Sequence, residues 1–150
     1  MDKMLNNLQI REIRAEDSDD IGRIQALITK ESMEFDFEEI IKEYEHKNRD
    51  VSLVAEIDGK VVGFMASYVI RGAFGIEKSA WIAMFGVDPK FMGQGIGIRL
   101  AEEILKVYRE KGVKHVFTSV RWDSVDLLSF FKTLGFDRSN FINLYRELDF

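Results

Sequence analysis

The segment that most constrains this fold is a long apolar strand that runs straight into a glycine-spaced loop and then into an amphipathic helix. Residues 79–87 form a nearly unbroken apolar run, followed by Asp88-Pro89-Lys90-Phe91-Met92-Gly93-Gln94-Gly95-Ile96-Gly97. Such a run reads as a strand buried on both faces, which places it inside a sheet. Gly86 within it marks a bulge or a close approach by a helix, another backbone or a ligand. From about Gly95 to Lys111, the residues Ile96, Leu100, Ala101, Ile104, Leu105 and Tyr108 share one helical face, while Arg99, Glu102, Glu103, Lys106, Arg109 and Glu110 share the other. Gly112 supplies the helix stop. Residues 113–121 read as the next strand, and a helix joining two strands of one sheet makes them parallel.

Glycines at alternate positions let a backbone turn tightly and present its N–H groups without obstruction, and the helix after them adds the positive end of its dipole. The loop is therefore an anion cradle, and spacing narrows the anion. A dinucleotide fingerprint fails because the last glycine position falls on Ile98 counted from Gly93, or on Leu100 counted from Gly95. A phosphate-binding loop of the G-x-x-x-x-G-K type fails because Ile98 stands at its second glycine and no Lys-Ser/Thr comes after it.

Around this unit the chain reads as one 150-residue domain of α+β class. Residues 8–14 are the first strand, and 15–20 offer N-cap candidates and first-turn acids for a helix carrying Ile21, Ile24, Leu27 and Ile28 on one side. Phe37, Ile40, Ile41 and Tyr44 mark a second helix. Residues 51–57 and 60–70 flank Asp58-Gly59, a strong hairpin signal. Asp123 or Ser124 caps a last helix with Leu127, Leu128, Phe131 and Leu134 inward and Gly135 as its stop, and residues 141–148 are expected to close the sheet as a terminal strand.

The chain has no cysteine and two histidines, His46 and His115, far apart in sequence, so neither a disulfide nor a metal site is expected. A net charge of −5 argues against nonspecific nucleic-acid binding. The first residues, Met1-Asp2-Lys3-Met4-Leu5, lack a signal-peptide core, and no apolar run reaches membrane-spanning length, so a cytoplasmic protein with no membrane contact is expected.

Two ordered segments carry a family resemblance. Val87-Asp88-Pro89 leading into Met92-Gly93-Gln94-Gly95-Ile96-Gly97 resembles the Gln/Arg-x-x-Gly-x-Gly/Ala loop of the GNAT N-acyltransferases, with Met92 where members usually carry Gln or Arg. Downstream, residues 124–136 resemble the family's Asn-x-x-Ala-x-x-Phe/Leu-Tyr-x-x-x-Gly-Phe segment, with Ser124 in place of Asn and Phe131 in place of Tyr. The resemblance spans nearly the whole chain and implies an α/β/α domain with a mixed, mostly antiparallel sheet, parallel and splayed between the strands ending near Val87 and Arg121.

The same resemblance implies a donor, an acceptor and a set of site residues. Acetyl-CoA is the implied acyl donor, its pyrophosphate on the amides of Met92, Gly93, Gln94, Gly95, Ile96, Gly97 and Ile98, where a side chain at Gly95 or Gly97 would crowd it. Its pantetheine arm pairs with the backbone of Phe85 and Val87, the backbone near Phe85 or Gly86 polarises the thioester, and Ser124 and Phe131 lie along the arm. The acceptor is a primary amine of a small molecule or a protein, attacked directly, and a homodimer is compatible with the family. Phe131 donates no proton, and Ser119 stands where some members place Glu, so the general base is open among Glu77, Asp123, Glu34 and Tyr145, or water. Residues 30–36 and 71–75, with Arg121-Trp122-Asp123, are the expected acceptor walls. A catalytically idle acyl-CoA-binding or regulatory module is the competing expectation.

Overall fold

The computed structural model describes residues 6–30, 34–45 and 50–149, so His46, Met1 to Leu5 and part of the 30–36 wall lie outside the described residues. In chain order the elements are β1 (Leu8–Glu12), α1 (Ser18–Thr29), α2 (Phe37–Lys42), β2 (Leu53–Ile57), β3 (Lys60–Arg71), β4 (Lys78–Val87), α3 (Ile96–Glu110), β5 (His115–Thr118) and α4 (Val125–Thr133). Among the described residues the strands make one five-stranded sheet in sequence order, antiparallel from β1 to β4 and parallel between β4 and β5. This is the expected mixed sheet. No helix among the described residues is long and apolar enough to cross a membrane.

Alternation along the strands sends side chains to two apolar layers. On one face Leu53, Met65, Val69, Ala80 and Ile82 pack with Leu100, Ala101, Ile104 and Tyr108 of α3 and with Phe131 of α4. On the other, Val54, Val61 and Phe64 pack with Ile21 and Ile24 of α1 and Ile41 of α2. The β2–β3 hairpin turns on Asp58 (φ 51°) and Gly59 (φ 81°), two left-handed residues whose twist matches that of the flanking strands.

The first layer is pinned by a buried polar cluster. The Tyr108 hydroxyl accepts the Val51 N–H at 3.0 Å and lies 2.6 Å from Ser67 Oγ, which donates to Val51 O. Burial pushes the Tyr108 phenol above its usual range, partly offset by its hydrogen bonds to Ser67 and Val51. Tyr108→Phe is expected to cost about 1–3 kcal/mol, because it leaves the Val51 N–H buried without an acceptor. Urea unfolding checks this, and an unchanged midpoint would remove the cluster's structural role.

Two sequence expectations are corrected. Residues 141–149 make no ladder, and Ile142, Leu144 and Tyr145 are 84%, 88% and 85% exposed, so the closing strand does not form. The reason is positional: Phe141 packs on Phe74 and Phe117, ring centroids 4.9 and 6.0 Å apart, and Asn143 Nδ2 donates to Ser119 Oγ at 2.8 Å. The segment thus meets β5 and its continuation through side chains and not through a backbone ladder. Leu127 and Leu128 of α4 are 36% and 42% exposed instead of inward, since among the described residues no strand pairs beyond β5 to cover them. At the end of α1, Leu27 is also exposed, at 47%.

Candidate active site

The β4–β5 ladder pairs Ser79 with His115 through Ile82 with Thr118, and it ends there. On its other side β4 stays paired with β3 as far as Val87, but Ser67 partners Ile82 while Ala66 partners Met84, so Ala83 is an extra residue. One inserted residue bends a strand and sharpens its twist. β4 therefore departs from β5 at Ala83, and the sheet splays between Val87 and the chain leading toward Arg121, as expected.

The bonds to β3 fix where the polar backbone of β4 points. Asp88 N–H donates to Val62 O at 2.8 Å, and Gly86 stands opposite Phe64 in the same register. Residues that face the partner alternate along an antiparallel pair. Met84 and Gly86 thus direct N–H and C=O at β3, whereas Phe85 and Val87 direct theirs into the splay. Gly86 is glycine for packing: a Cβ there would lie 2.9 Å from both Ile28 Cδ1 and Phe64 Cε1.

At the end of β4 the chain makes a short 3-10 turn, Pro89–Phe91, begun by Asp88, whose carboxylate accepts the Lys90 N–H at 3.0 Å. Gly93 (φ 79°) and Gly95 (φ 85°) then hold left-handed conformations that side chains disfavour. Gly95 is the N-cap of α3, and no side chain caps that end. The first N–H groups of a helix have no acceptor within it, so this end presents free amides and the positive pole of the dipole. Nothing lies within 4 Å of a Cβ built on Gly93 or Gly95, whereas Gln94 Oε1 is buried with no hydrogen-bond partner. Met92 is 53% exposed beside them.

Gly97 differs from Gly95, for it faces inward. A Cβ at Gly97 would lie 2.9 Å from Phe85 Cζ and 3.1 Å from Phe130 Cε1. Phe85 stacks on Phe130 at 4.9 Å and meets Phe131 edge-on at 6.2 Å. The two sequence segments that carry the family resemblance thus converge on one aromatic cluster at the splay. Ser124 is the N-cap of α4 but makes no side-chain cap bond.

The carboxylate candidates are not gathered there. Glu77 precedes β4 at the end opposite the glycine loop, about 25 Å along the strand from Phe85; it is exposed and lies 3.7 Å from Arg71. Asp123 is exposed and bonded to Arg121 at 3.0 Å, which holds its carboxyl below the usual range. Glu34 is exposed ahead of α2, and Tyr145 donates to Glu147 at 3.1 Å in the exposed C-terminal segment.

Sequence reasoning missed the clamp that ties α1 to the loop. Arg23 Nη1 donates to Asp88 Oδ2 at 2.9 Å, and Nη2 donates to Val61 O at 3.0 Å. Burial works to raise the Asp88 pKa, but Arg23, the Lys90 amide and the charge of Lys60 together hold it below the ordinary carboxyl value. A depressed folded pKa means that the stabilisation is complete above the unfolded value of about 3.9 and is lost as pH falls through the folded one. Asp88→Asn is expected to cost about 1–2 kcal/mol at neutral pH, discounted because Arg23 is partly exposed, and to flatten the acid limb of a pH–stability curve. An unchanged acid limb would discard the clamp. Its sequence signal is half present, since Asp before Pro is a turn-capping pattern, but nothing marks Arg23 as the partner.

Residues 10–136 match the acetyltransferase (GNAT) family model, and the chain belongs to that family. An aminoglycoside acetyltransferase from an uncultured soil metagenomic sample, solved with trehalose, superimposes with a TM-score of 0.82 at 22% identity, covering 98% of this chain and 100% of its own. An Ard1 from Thermoplasma volcanium is 26% identical with a TM-score of 0.75, over 89% of this chain and 84% of its own. The aminoglycoside N-acetyltransferase AAC(6')-Iy in complex with CoA, 15% identical, has a TM-score of 0.76 over 93% and 94%.

Proposed function

We propose that this chain transfers an acetyl group from acetyl-CoA to a primary amine by direct attack. The observation that carries the reading is one continuous polar track: the free backbone groups of Phe85 and Val87 in the splay, leading to the uncapped, glycine-flanked start of α3. An extended amide-bearing arm suits the first part as an added strand, and a pyrophosphate suits the second. The open space over Gly93 and Gly95 fits such a guest. Bound there, acetyl-CoA supplies an activated acyl group as a thioester.

This chain's residues would hold that group in place. The Phe85 N–H points into the splay and is positioned to polarise a carbonyl, and the stacked Phe85 and Phe130 rings form an apolar wall. Phe131 offers no proton, and Glu77, Asp123 and Glu34 are not gathered at the splay, so water takes the proton of the amine. A thiolate leaves without an acid because thiols are acidic, with a cysteine reference value of about 8.5.

A thermal-shift titration tests donor binding: at one hundred times its dissociation constant, acetyl-CoA should add about 2.7 kcal/mol of stability. No shift at millimolar concentration ends the reading. Gly95→Val is expected to weaken acetyl-CoA about tenfold and to cost about 1–2 kcal/mol through the strained φ. Unchanged affinity in a folded variant would reject the loop as the pyrophosphate site. The buried phenyl at Phe131 favours one second reading, an idle acyl-CoA-binding module, which thiol release measured across a panel of amines separates from turnover.

A further inference from the structure

We propose that Arg23 is a positioning residue for the donor: by holding Asp88 against β3 it fixes the loop on which the pyrophosphate of acetyl-CoA rests. The inference rests on the acyl-transfer reading and adds to it a side chain of α1, a helix that supplies none of the proposed donor contacts.

The first observation is where the loop is anchored. Both of its ends are seated on adjacent residues of β3. At one end Asp88 N–H donates to Val62 O at 2.8 Å. At the other, Ile96 and Leu100 of α3 close on Gly63, where a Cβ would lie 3.1 Å from Ile96 Cγ2 and 3.3 Å from Leu100 Cδ1. Residues 89–95 run between these anchors and include Gly93 and Gly95, whose backbones no side chain restricts. The anchors therefore decide where the loop amides point.

The second observation is what fixes the Asp88 anchor. Its carboxylate, 3% exposed, accepts the Lys90 N–H at 3.0 Å through Oδ1 and Arg23 Nη1 at 2.9 Å through Oδ2. Arg23 Nη2 reaches Val61 O at 3.0 Å, while Val61 N–H donates to Asp20 Oδ2 at 3.3 Å. The β3–β4 ladder begins only at Gly63 opposite Val87, so one turn of α1 takes up the backbone of β3 just beyond the point where β4 leaves it. A guanidinium suits this place because its planar fork holds two acceptors in fixed relation. The helix is a firm platform for it: Ile21 and Ile24 are fully buried, and Ile28 fits over Gly86.

The third observation is charge. A buried carboxylate at the start of a loop that takes a pyrophosphate opposes that ligand unless a cation neutralises it. Without Arg23, Asp88 keeps only the Lys90 N–H and the charge of Lys60. Its carboxylate then turns toward water and draws the start of the loop with it.

Calorimetry on the full chain tests this with acetyl-CoA and with S-acetylpantetheine, which lacks the pyrophosphate. Arg23→Met should weaken acetyl-CoA about tenfold, the loss of one charged hydrogen bond read as affinity, and leave S-acetylpantetheine unchanged. In an Asp88→Asn background, where the side-chain carbonyl still accepts the Lys90 N–H and no buried charge needs a partner, the same substitution should cost less than about threefold. Equal weakening of both ligands overturns the proposal, because it marks a general loosening of the fold. So does a loss just as large in the Asp88→Asn background. If Arg23→Met does not fold, Arg23→Lys carries the test: one ammonium cannot hold Asp88 and Val61 O in a rigid fork, so acetyl-CoA should bind about threefold more weakly with S-acetylpantetheine again unchanged. Unchanged acetyl-CoA affinity in either Arg23 variant overturns the proposal. A wild type that binds no acetyl-CoA ends the donor reading and this inference with it, whereas wild-type binding with any of the contrary results removes the role of Arg23 alone.

Discussion

Replacing Phe131 with alanine is expected to remove about 3–5 kcal/mol of stability, the range for truncating a buried phenylalanine in a well-packed core. Phe131 is 5% exposed and touches three other rings, with centroids 5.0 Å to Phe130, 5.2 Å to Phe136 and 6.2 Å to Phe85. Of the named hydrophobic residues on α4 it alone is fully buried, because Leu127, Leu128 and Val125 face solvent. Its loss leaves α4 held on the sheet by the partly buried Phe130, stacked on Phe85. For a chain of this length the change corresponds to a Tm lower by about 6–20 °C. Calorimetry checks it, and a loss below about 1 kcal/mol would mean that α4 docks through contacts other than this ring. Phe131→Tyr separates structure from chemistry. It keeps the ring and adds a proton donor, so faster thiol release at similar stability would locate the hydroxyl in the splay.

The same residue shows what the chain made legible. The helix around Phe131, the long strand before the glycine loop and the helix after it are written in local period, and α3 spans Ile96–Glu110 against an expected 95–111. Asp58-Gly59 specified its turn because two left-handed residues in succession admit few alternatives. Features that depend on a distant partner were not legible. β5 stops at Thr118 short of Arg121 because Ala83 turns β4 away, and a bulge is a property of register between strands that no single strand displays. Residues 141–148 have the alternation of a strand, but a strand forms only through backbone pairing, and the segment meets β5 and Ser119 through side chains instead. Asp88 announced a turn cap, while its ion pair with Arg23 joins residues on separate elements. Within the candidate site, the family resemblance placed the loop and Phe131 together, yet it could not show that Gly97 is small for the sake of Phe85 and Phe130.

That distinction between two glycines of one loop yields the second large effect. Gly97→Val is expected to cost about 1–3 kcal/mol by overpacking and to weaken acetyl-CoA by more than about tenfold. The first Cβ contact, 2.9 Å to Phe85 Cζ, is below any ordinary separation, and the stacked Phe130 ring at 3.1 Å blocks retreat. Neither ring is a flexible chain end, so relief must come from shifting the start of α3 or the Phe85 strand. Either shift moves the amides or the strand backbone on which the proposed donor rests. Gly95→Val perturbs the same loop differently, through backbone strain with open space around the new side chain. A double-mutant cycle decides between the two accounts. If packing against Phe130 is the cause, Phe130→Leu should restore much of the stability lost in Gly97→Ala, because a branched aliphatic chain can move where a ring cannot. The same exchange should leave the Gly95 variant unrelieved. Additive losses in the Gly97 and Phe130 variants would show that the ring contact is not what keeps position 97 small.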